Sequence, residues 1–159
     1  MQVLFVCTGN VCRSPMAAAI LARLLEERGV AGVEVASAGT AAWDGAPASE
    51  GSYLVSLENG LDLSGHRARQ ITTDIVADAD LILGMGTSHV DRVEALGGEG
   101  KAHLLGAYAG ESDDAAQVAD PFGGDLEEYR ATYVRLSALI AAALPRLEGE
   151  RPDADPGQH

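Results

Sequence analysis

The sequence predicts a single α/β domain built on a four-stranded, parallel, twisted sheet with helices on both faces. Three observations predict it. Short apolar runs rich in branched residues, such as Val3-Leu4-Phe5-Val6 and Leu81-Ile82-Leu83, read as strands buried on both sides. Stretches with helical apolar spacing alternate with them, and that alternation favours parallel strands joined by crossover helices. The chain of 159 residues, 47% of them hydrophobic, suits one domain with one well-filled core.

Taken in order, strand 3–6 runs into a glycine-containing turn. Ser14-Pro15 follows as a helix start, with Ser as a cap and Pro suited to the first turn. Met16, Ile20 and Leu24, with Ala17, Leu21 and Leu25, give that helix a broad apolar face, and Gly29 closes it. Val33–Ala36 reads as the second strand, followed by the small-residue loop Ser37-Ala38-Gly39-Thr40. A loop through Trp43 and Pro47 leads to a helix over 48–59, stopped by Asn59-Gly60. A short helical turn covers Thr72–Ala77, and residues 81–83 form the third strand. Ser88–Leu96 is a helix ended by Gly97-Gly98, Ala102–Leu105 is a weak fourth strand, and 106–119 reads as loop. From Asp125, Leu126, Tyr129, Tyr133, Leu136, Ile140, Ala143 and Leu147 keep helical spacing to the end of a domain over 1–147. Residues 148–159, with two prolines and several charges, read as a flexible tail.

A formal charge of −13 argues against nucleic acid and against an anionic membrane surface as partners. An anionic substrate would need a strong local positive potential, because the global field repels it. His89, His103 and His159 show no metal-ligand spacing, so neither a metal nor any other cofactor is expected. The apolar opening is too short for a signal-peptide core, and no run approaches the ~20 apolar residues of a membrane span. With two cysteines and no export signal, a cytoplasmic, reducing setting is expected.

The chemistry concentrates in Cys7-Thr8-Gly9-Asn10-Val11-Cys12-Arg13-Ser14, between the first strand and the first helix. In a parallel sheet, ligands bind beyond the carboxyl ends of the strands, where Cys7 stands. A loop at a helix N-terminus aims backbone N–H groups at one point and adds the positive end of the helix dipole. That field favours a thiolate, the nucleophilic form of cysteine. Arg13 offers a planar fork for two phosphoryl oxygens. Gly9 and Asn10 are residue types that tolerate left-handed backbone. Ser14 can hydrogen-bond the sulfur as well as cap the helix. No Lys-Ser/Thr pair follows a glycine run, which excludes a nucleotide-triphosphatase loop. Cys12 is either a plain loop residue or a thiol that traps oxidised Cys7 as a disulfide. The pattern therefore reads as a cysteine-dependent phosphatase, with phosphate or sulfate expected to occupy the loop.

The segment Val6–Pro15 closely resembles the active-site loop of the low-molecular-weight protein tyrosine phosphatases. The likeness continues through Ser37–Thr40, His66-Arg67-Ala68-Arg69-Gln70 and Asp120-Pro121-Phe122-Gly123-Gly124, in the family's order from residue 3 to about 147. The resemblance implies hydrolysis of phosphorylated protein substrates in two steps, through a phosphocysteine. Cys7 would be the nucleophile, Arg13 and the loop amides would hold the phosphoryl oxygens, and Asp120 would act as general acid and then base. Thr8, Gly9, Asn10, Val11, Cys12, Ser14 and Phe122 would contact substrate. A network of Asn10, Ser14, Ser37 and His66 would hold the loop.

Three positions depart from the best-known members. Val11 stands where tyrosine-specific members usually carry Ile and arginine-phosphatase members carry Thr. Phe122-Gly123 replaces an aromatic pair, so that 120–124 is like the arginine phosphatases. Ala18 replaces a common acidic residue, without evident chemical consequence. Phosphotyrosine and phosphoarginine are therefore both candidate substrates, whereas a deep site disfavours phosphoserine. A rival on the same fold is a thiol-coupled arsenate reductase, but its internally resolving form needs later cysteines, and none follows Cys12. A catalytically silent phosphate-binding module would be expected to lack Cys7, Arg13 or Asp120, and all three are present.

Overall fold

The computed structural model of the chain describes residues 1–112 and 116–151. The four expected strands are β1 (Gln2–Cys7), β2 (Glu34–Gly39), β3 (Leu81–Gly84) and β4 (Ala102–Leu104). They form one parallel sheet in the order β2-β1-β3-β4. The helices are α1 (Arg13–Glu27), α2 (Glu50–Glu58), α3 (Thr73–Asp78), α4 (Thr87–Val93), α5 (Leu105–Tyr108) and α6 (Leu126–Glu150).

Side chains of β1 alternate between two cores, as the two-residue period of a strand requires. Val3, Phe5 and Cys7 join α1, α5 and α6 in the larger one. Leu4 and Val6 join Val76 of α3 and Val93 of α4 in the smaller. Helices therefore cover both faces, and β1 is buried from Val3 through Cys7. Full burial of one such side chain is worth about 1.5–3 kcal/mol. Met16, Ala17, Ile20, Leu21 and Leu25 supply the buried face of α1, and Gly29 follows its end at φ 65°, as expected of a helix-closing glycine.

Four local expectations are corrected. Ser14 does not cap α1: Cys12 precedes the helix, and Ser14 lies in its first turn with its hydroxyl committed elsewhere. The segment Ser37–Gly39 is strand rather than loop, because β2 stays paired with β1 up to Cys7 opposite Gly39. Within 105–119, Leu105 leaves the fourth strand and begins the short helix α5, which carries buried Leu105 and Tyr108 into the larger core. Helix α6 runs on through Pro145 to Glu150, where Tyr108 donates a hydrogen bond to Glu150 Oε2 at 2.7 Å. The expected tail at 148–150 is thus helical, and residues 152–159 lie outside the described part.

Candidate active site

Cys7 ends the buried central strand β1, and the chain then wraps through 8–12 into α1. The outward carbonyls of this loop are engaged from behind. Cys7 O accepts from Thr40 N (3.0 Å), Thr8 O from Ala41 N (2.9 Å), Val11 O from Ser49 N (2.9 Å) and Cys12 O from Ser52 Oγ (3.0 Å). Carbonyls bonded on the outer side leave the loop's N–H groups for an anion on the concave side.

Asn10 is the hub. Among the described residues it alone, other than glycine, has positive φ, at 57°, and it is fully buried. Gly9, expected to share the left-handed backbone, does not. Asn10 Nδ2 donates to Ser14 Oγ (2.8 Å) and to Ser37 Oγ (2.9 Å), and Oδ1 accepts from Arg69 N (3.0 Å). That backbone donor fixes which end of the amide is oxygen. Asn10 O lies 2.6 Å from His66 Nε2, whose ring is held below its usual pKa chiefly by burial. Cys7 Sγ is 2.9 Å from Ser14 Oγ. Because Ser14 Oγ already accepts from Asn10, its own proton can point at the sulfur, the arrangement a thiolate needs. The network expected of Asn10, Ser14, Ser37 and His66 is present.

Arg13 is 6% exposed. Its Nη1 donates to Val118 O (2.9 Å), and Val118 N donates to Met85 O beyond the end of β3 (2.8 Å). This brace carries the following residues over the loop. Asp120 Oδ2 comes 3.5 Å from Arg13 Nη2, with the carboxylate side chain 47% exposed. Asp120 Oδ1 accepts from Phe122 N (3.0 Å), the turn that Asp-Pro suggests. Arg13 Nε is buried without a protein partner among the described residues. A cleft of about 180 Å³ is lined by Cys7, Thr8, Gly9, Val11, Cys12, Arg13, Asp120 and Phe122. A buried guanidinium donor on that cleft fits a phosphoryl oxygen. The side chains of Asn10 and Ser14 are fully buried and bonded to each other, which leaves only the backbone N–H of these two residues to meet a substrate. Phe122 is 71% exposed at the rim.

Cys12 is a free, buried thiol. Its Sγ lies 3.1 Å from Ser49 Oγ and 3.5 Å from Tyr129 OH, and burial pushes its pKa up. Among the described residues no cluster of His, Cys, Asp or Glu could hold a metal, and no helix is long and apolar enough to cross a membrane.

Three contributors escape a reading of the sequence. Arg69 acts through its backbone N–H, which no side-chain pattern reports. A Cβ on Gly39 would lie 2.5 Å from Thr8 O, so only glycine lets β2 press against the loop. His89 reaches Thr8 from α4, 81 residues away, and nothing in the sequence around it points to that partner.

The family model for low molecular weight phosphotyrosine protein phosphatase matches residues 2–152. A protein-arginine-phosphatase of Geobacillus stearothermophilus is 39% identical over 150 residues, covering 94% of this chain and 98% of the relative. Low molecular weight protein-tyrosine phosphatase A of Mycobacterium tuberculosis is 37% identical over 151 residues, covering 92% and 89%. The structure of a YwlE arginine phosphatase variant with a phosphorylated active-site serine superposes with TM-score 0.87 at 32% identity, covering 95% of this chain and 98% of that one. With the cysteine-to-serine loop and its braces in place at the end of β1, the chain belongs to the low molecular weight phosphotyrosine protein phosphatase family.

Proposed function

We propose that the protein removes phosphoryl groups from phosphotyrosine or phosphoarginine side chains of proteins, with Cys7 as nucleophile, Arg13 as phosphoryl clamp and Asp120 as acid and base. One observation carries the reading: Cys7 and Arg13 of the loop line one cleft with Asp120, which lies more than a hundred residues later in the sequence. The Cys7 thiolate attacks phosphorus, and the leaving oxygen or nitrogen takes a proton from Asp120. Asp120 then removes a proton from water as that water attacks the thiophosphate ester, which releases phosphate and restores the thiolate. Arg13 and the loop amides stabilise the equatorial oxygens at both transition states.

Cys7 lies 2% exposed at the cleft floor. A long planar group, phenol or guanidinium, reaches it past Val11 and Phe122, and a phosphoserine holds its phosphorus too close to the backbone. Val11 leaves more room than isoleucine and offers no hydroxyl, so both planar groups remain substrates. Arsenate reduction with an internal thiol is disfavoured, because Cys12 is buried against Ser49 and Tyr129 and no cysteine follows it.

The test is hydrolysis of p-nitrophenyl phosphate, then of phosphotyrosine and phosphoarginine peptides, by wild type, Val11→Ile and Val11→Thr. The expected result is phosphate release from both peptides, with Ile tilting the ratio toward phosphotyrosine and Thr toward phosphoarginine. Wild type without phosphate release, or matched by Cys7→Ser, would refute the reading.

A further inference from the structure

His89 is 4% exposed in the first turn of α4, yet the reaction just described gives it no task. Both ring nitrogens are engaged. Nδ1 accepts from Gly86 N at 2.9 Å, the reach-back by which a residue in the first turn satisfies a helix's leading N–H. That contact fixes the tautomer: Nδ1 is the acceptor, so Nε2 carries the proton in the neutral ring. Nε2 lies 2.9 Å from Thr8 Oγ1, so the ring donates to the threonine hydroxyl. Burial, with the nearby Arg13 guanidinium and against the opposing pull of Asp120, holds the ring neutral down to about pH 4.

Capping α4 uses only Nδ1. The second contact crosses from α4 to Thr8, the residue next to Cys7 and one of those that line the cleft. A hydroxyl that accepts on its oxygen keeps its own proton to give, here toward the side on which a phosphoryl group would bind.

We propose that His89 is a positioning residue for phosphoryl binding: Gly86 N–H sets its tautomer, and its Nε2–H orients the Thr8 hydroxyl as a donor into the cleft. The inference rests on the phosphatase reading above.

Side-chain amides separate the two contacts. In His89→Gln the amide N–H can replace Nε2–H, in His89→Asn the amide oxygen can replace the Nδ1 acceptor, and His89→Phe replaces neither. With p-nitrophenyl phosphate, His89→Phe and His89→Asn should lose about tenfold in kcat/KM, equivalent to about 1.4 kcal/mol. Most of that loss should appear as a higher KM and weaker inhibition by inorganic phosphate. His89→Gln should stay within about threefold of wild type. Thr8→Val should lose about tenfold, and adding His89→Phe to it should cost less than a further twofold. Should His89→Phe fail to fold, the Asn/Gln contrast and Thr8→Val, an exposed position, decide alone.

A His89→Asn variant within twofold of wild type, a His89→Gln variant as poor as His89→Asn, or a Thr8→Val variant within twofold of wild type would overturn the proposal. If wild type turns over and Cys7→Ser does not, such a result removes the His89 role alone. If wild type is inactive, the phosphatase reading falls and this inference falls with it.

Discussion

The two sides of the cleft are built differently. On one side the loop 7–14 is closed: Asn10 is fully buried, its side-chain amide has three partners, and its carbonyl has a fourth on His66. On the other side Asp120 is nearly half exposed, held by one turn contact and a 3.5 Å approach to Arg13. An ion pair this open contributes little to stability. The nucleophile's side is thus fixed before substrate arrives, as electrostatic stabilisation of a transition state requires. The acid's side is left free to meet leaving groups of different shape. Changes on the loop side should therefore move stability and phosphate binding together, whereas changes at Asp120 should move turnover alone.

The largest expected effect is on the open side. Asp120→Asn should slow kcat about 10²–10⁴-fold on substrates with poor leaving groups. Its unfolding free energy should stay within about 0.5 kcal/mol of wild type. A loss below tenfold would mean that the acid lies elsewhere, and a large stability loss would erase the contrast.

Acid titration probes the closed side. The unfolded His89 ring takes its proton near 6.5, but the folded ring refuses it down to about 4, because of burial and Arg13, with Asp120 opposing. In that window the unfolded state binds more protons, so stability is full above about 6.5 and falls as pH drops toward 4. The loss attributable to this ring amounts to as much as about 3 kcal/mol. His66, shifted the same way, adds to it. Denaturant melts between these pH values should flatten in His89→Gln. An unchanged slope would contradict the buried neutral ring.

Gly39→Ala should cost about 1–3 kcal/mol by overpacking, since its Cβ would meet Thr8 O at 2.5 Å and Asn10 N at 2.9 Å. It should also raise the inhibition constant of phosphate. A shift in thermal melting without weaker phosphate binding would show that β2 does not brace the loop. Ser37→Ala should have the smallest effect, about 1 kcal/mol from one lost hydrogen bond to Asn10, with activity reduced less than tenfold. Calorimetry and a phosphate-release assay read both.

What was legible in the sequence follows from where each contact is made. Cys7, Arg13 and the four parallel strands were readable because strand, loop and helix are local patterns, whereas the strand order β2-β1-β3-β4 was not. Asp120 needed the family resemblance, since an Asp-Pro pair alone signals only a turn. The roles of Gly39, Arg69 and Val118 were not readable: each acts through backbone or through the absence of a side chain, against partners at least 29 residues away. The expected Ser14 cap failed for a related reason. Its hydroxyl had a better use between Asn10 and Cys7 than on the helix end. Helix α5 was missed because a four-residue helix shows no periodicity, and the last turn of α6 because the charges after Leu147, with Pro152 and Pro156, read as a tail.

The central claim is that phosphoryl transfer passes through the sulfur of Cys7 in a cradle formed before substrate binds. Asp120→Ala incubated with p-nitrophenyl phosphate, quenched in acid and digested, tests it by peptide mass. The account predicts one phosphoryl group on the peptide containing Cys7, absent from Cys7→Ala. Phosphate turnover with no labelled cysteine, or a label that persists in Cys7→Ala, would contradict it.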